Sequence, residues 1–229
     1  MIRHPDYTRG RLAQTSARLR ELVHPETIPV EELAVAGPVD RIPHEEAQCL
    51  DYRQAEPGER FGPLFATYWF RGTVTVPAAW AGQRADLLWD SASEATLWLG
   101  GVPAQGLNKH HHDAPLAEPA AGGERVEFEV ELACNGLFGK QAAPVELHRC
   151  ELGRFDPDAW RLFLDFETLR ALAVDPGLDE AWSGELLSEL NRFCNDPDPA
   201  ILAALYERRN ATTAHELGGN IRTESAAFL

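Results

Sequence analysis

Over residues 125–132, polar and apolar side chains alternate without a break: Val126, Phe128, Val130 and Leu132 interleave with Arg125, Glu127, Glu129 and Glu131. A period of two belongs to a strand with one face buried and one in water. Such a strand needs neighbours, and the sequence supplies them. Residues 64–76 carry Tyr68, Trp69, Phe70, Val74 and Val76, an aromatic and β-branched run that Pro77 closes. Residues 87–90 and 95–99 read as two shorter strands, the second followed by the hairpin pair Gly100-Gly101. Residues 145–152 read as a last strand. Short strands at regular spacing, with turn residues between them, predict a β-sandwich.

The flanks follow a different period. Residues 6–24 read as a helix with Leu12, Leu19, Leu22 and Val23 near one face. Residues 25–63 are rich in Pro, Gly and acids and read as loop with short extended pieces. Asp156-Pro157 is a helix start, an N-cap acid followed by Pro at the first helical position. Trp160, Phe163, Leu164, Phe166, Leu169 and Leu172 form the stripe of that helix. A second helix carries Trp182, Leu186, Leu187, Leu190 and Phe193, and a third Ile201, Leu202, Leu205 and Tyr206. The chain therefore reads as α+β: a helix and extended lead over 1–44, a sandwich over 45–152, helices over 153–217 and an irregular tail over 218–229.

Charge narrows the functions. With 36 acidic and 21 basic residues the formal net charge is −15, which repels phosphates and excludes a nucleic-acid groove. No apolar run approaches the roughly 20 residues of a membrane helix, so no membrane partner is expected. Cys49, Cys134, Cys150 and Cys194 lie too far apart for a zinc knuckle or disulfide scaffold. They read as reduced, buried thiols of a cytoplasmic protein.

Three groups invite a chemical reading. His110-His111-His112-Asp113 offers metal ligands. Consecutive residues on an extended loop point in different directions, however, so a solvated loop accounts better for the run. Trp69, Trp89 and Trp98 can stack on sugar rings, although core packing is the commoner fate of Trp in a sandwich. Asp90 and Glu94, four apart on a turn, offer two carboxylates to a glycosidase in principle, but the local chain is too short and exposed to raise a pKa, and a polar turn that caps its own backbone N–H groups accounts for them better. No Gly-x-Gly-x-x-Gly, P-loop, His-Glu-x-x-His or Gly-x-Ser-x-Gly pattern is present.

Several segments in order resemble a known family. Residues 62–71 (GPLFATYWFR), 87–94 (LLWDSASE), 97–107 (LWLGGVPAQGL), 133–139 (ACNGLFG) and 146–152 (ELHRCEL) together resemble the N-terminal, non-catalytic region of cytosolic-type α-mannosidases of glycoside hydrolase family 38. The likeness runs from about residue 10 to Leu217. It implies a galactose-binding-like β-sandwich of jelly-roll type, leading through helices into a catalytic domain. It also implies a retaining, zinc- or cobalt-dependent glycosidase with an Asp nucleophile and an acid/base carboxylate. The family's first metal ligands stand in a motif like GHAHIDTAWLW, a few residues beyond a segment like residues 211–217 (ATTAHEL). Here Glu224 and Ala226 fall where the ligating His and Asp belong, and a catalytic pair roughly 5 Å apart has no place on the chain. The expectation is a truncated, inactive piece with no catalytic residue and no metal ligand of its own. Its partner would be the missing catalytic domain, and the apolar face meant for that partner implies self-association. The alternative is an independent carbohydrate-binding module for mannose-containing oligosaccharides, with Trp69, Trp89, Asp90, Glu94, Trp98, Gln105 and Asn135 as substrate-binding residues. A metal-dependent hydrolase built on His110–His112 is a third reading.

Overall fold

The computed structural model describes residues 5–136, 145–174 and 180–195. The described residues divide into two compact units, one within residues 25–155 and one that joins those before residue 25 to those after residue 155.

The first unit is a sandwich of two antiparallel sheets. One contains β1 (Glu26–Pro29), β6 (Ala85–Asp90), β9 (Asp113–Ala117) and β12 (Arg149–Arg154), in the order β1-β12-β6-β9. The other contains β2 (Glu32–Val39), β3 (Arg53–Gln54), β5 (Thr67–Thr75), β7 (Glu94–Leu99), β8 (Val102–Leu107) and β10 (Arg125–Ala133), in the order β3-β2-β5-β10-β7-β8. The short strands β4 (Arg60–Phe61) and β11 (Val145–Glu146) pair separately. The alternating strand of the sequence is β10, which sits centrally and pairs with β5 and β7. Gly100 and Gly101, at φ 57° and 78°, turn β7 into β8 as a tight hairpin requires.

Residues from both sheets fill the core. Phe70 meets Trp89 edge-on at 4.9 Å, and Phe61 meets Tyr68 and Phe70 at 5.0 and 5.2 Å. These are the offset and edge geometries that ring quadrupoles favour. Gly72 lies in β5 beneath Phe128, where an added Cβ would come within 2.1 Å of Cζ. The missing side chain of one strand makes room for the ring of the next.

The sandwich starts earlier than its sequence signal. Residues 25–44, read as lead, supply the whole of β1 and β2, and β2 lies inside the sheet against β5. Pro38 concealed it. That proline falls in an irregularity between Ala36 and Val39 where the register shifts, so its missing N–H interrupts no regular ladder. The strand read over 145–152 is two strands, broken at Leu147-His148.

In the second unit α1 (Pro5–Leu22), α3 (Pro157–Ala173) and α4 (Glu180–Cys194) pack around Leu12, Leu19, Phe166, Leu186, Leu187 and Leu190. Asp156 caps α3 as expected, its Oδ1 accepting from the N–H groups of Asp158 and Ala159, both at 2.9 Å. Arg11 ties α1 to the end of α4 through Asn191 Oδ1 at 2.8 Å and the Cys194 carbonyl at 3.2 Å. Leu22, Leu164 and Leu172 are exposed instead of joining their stripes. The third helix, read around Ile201–Tyr206, lies outside the described residues.

Candidate functional site

The seven candidate binding residues occupy four different places. Trp89 points into the core, is 2% exposed and donates from Nε1 to Ser91 Oγ at 3.1 Å. Its neighbours in sequence gave no hint of this, because both faces of β6 are buried.

Trp69 and Trp98 lie on the outer face of the six-stranded sheet, since Tyr68 and Phe70 take the inner one. A short helix, α2 (His44–Ala47), covers them. His44 stacks on Trp98 with centroids 4.8 Å apart and planes 6° apart, and it leans on Trp69 at 5.6 Å. Trp69 is 1% exposed, so it offers no ring face to a ligand. The indole Nε1 of each is buried without a hydrogen-bond partner among the described residues.

Glu129, expected on a solvated face, is the hub of this cover. Its Oε2 lies 2.5 Å from His44 Nε2, and its Oε1 accepts from Gln48 Nε2 at 2.7 Å and Arg71 Nε at 3.2 Å. Arg71 also donates to Gln48 Oε1 at 2.6 Å and lies over the Tyr52 ring at 4.0 Å. Burial works to raise the Glu129 pKa. The hydrogen bonds from His44, Gln48 and Arg71 outweigh it and hold the carboxyl below its ordinary value. No sequence pattern announced the group, because α2 is too short to show a helical period.

Asp90, Glu94 and Asn135 meet at one end of the sandwich. Asp90 Oδ1 accepts from Ala92 N at 2.9 Å, which makes the turn between β6 and β7 an Asx turn. Asn135 Nδ2 donates to Glu94 Oε2 at 2.8 Å, while Asn135 Oδ1 is buried without a partner among the described residues. The buried Ser93 hydroxyl binds the carbonyls of Ala133 and Asn135 and so fastens the turn to the end of β10. Phe65, which no sequence pattern singles out, stands at the same end with its N–H on the Cys134 carbonyl at 2.8 Å. Gln105 is apart from all of these: its Nε2 donates to the Asp113 carbonyl at 2.8 Å, tying β8 to β9.

The histidine run forms a tight turn. Asn108 and His111 exchange both backbone hydrogen bonds, at 2.8 and 3.0 Å, and Asn108 Oδ1 accepts from His110 N at 2.8 Å. His110 and His111 are exposed. This is the architecture of a solvated loop. Of the cysteines, Cys134, Cys150 and Cys194 are buried, and burial pushes the Cys134 thiol up to about 11. Cys49 differs from expectation: it is exposed, because it follows α2 on the side away from the sheet-facing Ala47.

The sandwich is thus a jelly-roll module whose polar groups mostly hold turns and covers in place, with one end that combines a carboxylate, an amide and an exposed ring. Residues 27–162 match the family described as alpha-mannosidase, jelly roll domain, and the chain belongs to that family. It is 36% identical over 200 residues to Alpha-mannosidase 2C1 of Homo sapiens, covering 81% of this chain and 19% of that protein. It is 31% identical over 152 residues to Alpha-mannosidase G of Dictyostelium discoideum, covering 61% of this chain and 14% of that one. A β-glucuronidase from Ruminococcus gnavus, solved with D-glucuronic acid, superposes with a TM-score of 0.42 at 11% identity over 58% of this chain and 30% of its own. The chain spans about a fifth of the length of the first curated relatives it matches.

Proposed function

We propose that this chain is the non-catalytic N-terminal module of an α-mannosidase, an enzyme that hydrolyses terminal α-D-mannosides in glycans. The observation that carries the reading is its 36% identity to the N-terminal part of a much longer α-mannosidase. In such an enzyme, the remainder of the polypeptide would hold the reacting carboxylates, and this module would be its partner. Zinc or cobalt would act as the Lewis acid there. At the place where the resemblance puts that enzyme's metal motif, Ala226 has no donor atom, and it lies with Glu224 outside the described residues. No step through a metal is derived for this chain. Asp90 and Glu94 are engaged in a turn and an amide contact, respectively, which agrees with a supporting role.

The test is hydrolysis of an aryl α-mannoside by the purified 229-residue chain with added zinc or cobalt. No turnover above the no-protein rate is expected. Metal-dependent turnover would overturn the reading and return Asp90 and Glu94 to consideration as reacting groups.

A further inference from the structure

We infer that residues 40–52 form a strap that lifts as one body from the outer face of the six-stranded sheet, with Glu129 as the latch that acid releases. The segment leaves the sheet after Val39 and rejoins it at Arg53, and its two flanking strands pair with each other, Ala34 with Gln54 and Val35 with Arg53. Both ends are therefore held by sheet, and the strap can part from the surface without breaking a ladder. It buries little apolar surface of its own. Only Ala47 in it is fully buried, while Pro43, Glu45, Glu46, Gln48 and Cys49 are exposed. Its one helix, α2, has no side-chain cap at its N-terminus. Segments with few buried apolar contacts open at far lower cost than core strands do.

What holds the strap down is polar, and it converges on two sheet residues. Among the described residues, every hydrogen bond between strap and sheet ends on Glu129 or Arg71. Glu129 binds His44 and Gln48, and Arg71 donates from Nη2 to the Gln48 carbonyl at 3.2 Å as well as to its side chain. Arg71 is itself aligned by Glu129, so one carboxylate organises the whole attachment. The His44 ring adds its stack on Trp98. The titratable and charged groups that face Glu129 are His44 and Tyr52 from the strap and Arg71 from β5. Opposite it on β7 stands the uncharged Trp98, and Glu127 and Glu131 flank it on its own strand. A proton on Glu129 removes its charge, and with it much of the strength of all three of its hydrogen bonds. Closure also buries the indole Nε1 of Trp69 and of Trp98 without a partner among the described residues, whereas lifting gives both donors to water.

The closed carboxyl titrates below its ordinary value, so the latch is fully set above about 4.3 and opens as the pH falls beneath it. Between the open and the closed value, the opening constant rises about tenfold per pH unit. Amide hydrogen exchange of the 229-residue chain tests this, followed residue by residue from about pH 6 to about pH 3 and divided by the intrinsic rate at each pH. The reporters are Gln48, Cys49 and Leu50, whose N–H groups bond inside the strap to the carbonyls of His44, Glu46 and Ala47. Phe70 and Val130, paired in the middle of the sheet, are the references. The strap amides are expected to lose protection below about 4.3 while the references keep theirs. Glu129→Gln should hold the strap amides at a low protection that no longer changes over this range, and Glu127→Gln should copy the parent. Strap and reference amides losing protection together would overturn the strap as a separate body. A parent profile without the acid step, or one that Glu129→Gln reproduces, would overturn the latch. The parent profile settles the first point without any variant, and the references report in every sample that the sheet is folded.

Discussion

Asp86 is fully buried in β6, and Arg84 meets both of its carboxylate oxygens, at 2.6 and 3.0 Å, while lying over the Phe155 ring at 4.1 Å. Removing Arg84 takes two hydrogen bonds from this buried carboxyl, and a hydrogen bond to a charged group is typically worth about 1.5–3 kcal/mol. Arg84→Ala should therefore lower the urea midpoint of the chain substantially, and Arg84→Lys should recover only part of the loss because it cannot grip both oxygens. Denaturant unfolding of the two variants checks this, and a midpoint unchanged in Arg84→Ala would refute it. The sequence did not disclose the pair: two opposite charges two apart on a strand look the same whether their face is wet or dry. Phe65 was hidden for a related reason, since no residue pattern marks a left-handed phenylalanine.

Among the elements, β10 was the most legible and still held the largest surprise. Its alternation fixed the strand, and Phe128, Val130 and Leu132 are buried as that alternation requires. The opposite face was expected to be wet throughout, yet α2 covers Glu129 there. A period of two says which residues share a face but not whether something else will cover it. The strands β5, β6 and β7 and the Asp156-Pro157 helix start were equally readable, because turn residues and caps act locally. In contrast, β1 and β2 were lost among prolines, and the binding candidates scattered because side-chain direction and cover are tertiary properties. The Glu129 cluster carries a pH consequence. Its folded pKa is depressed, so its contribution is fully present above the ordinary carboxylate value of about 4.3 and is lost as the pH falls through the lower folded value. Glu129→Gln should flatten the fall of stability with pH in that acidic window and leave the slope near neutrality unchanged. Melting temperatures of both proteins from neutral pH down to the carboxylate range measure it, and parallel curves would count against the cluster.

At the scale of the whole molecule, the two cores do not share residues. One, from Val35 to Leu152, lies wholly within the sandwich, and the other gathers Leu12 and Leu19 of α1 with residues of α3 and α4. A polypeptide of residues 25–155 should therefore fold cooperatively without the helices, since its strands, hairpins and core all lie within those bounds. Near-ultraviolet circular dichroism and a sigmoidal urea curve are the expected signs, and a non-cooperative transition would show that the sandwich depends on its flanks.

The helical unit has the opposite character, because it is sewn together from both sides of the sandwich. On the ribosome α1 precedes its companions, so Leu12 and Leu19 stay uncovered while some 130 intervening residues are synthesised. At about 5–20 residues per second, that wait is on the order of 10 s, far longer than the roughly microsecond in which a helix forms and melts. Within this unit, the helix synthesised before the sandwich is thus sheltered only after it. Through that interval it is an open apolar segment awaiting its mates, exposed to chaperones and to neighbouring chains alike.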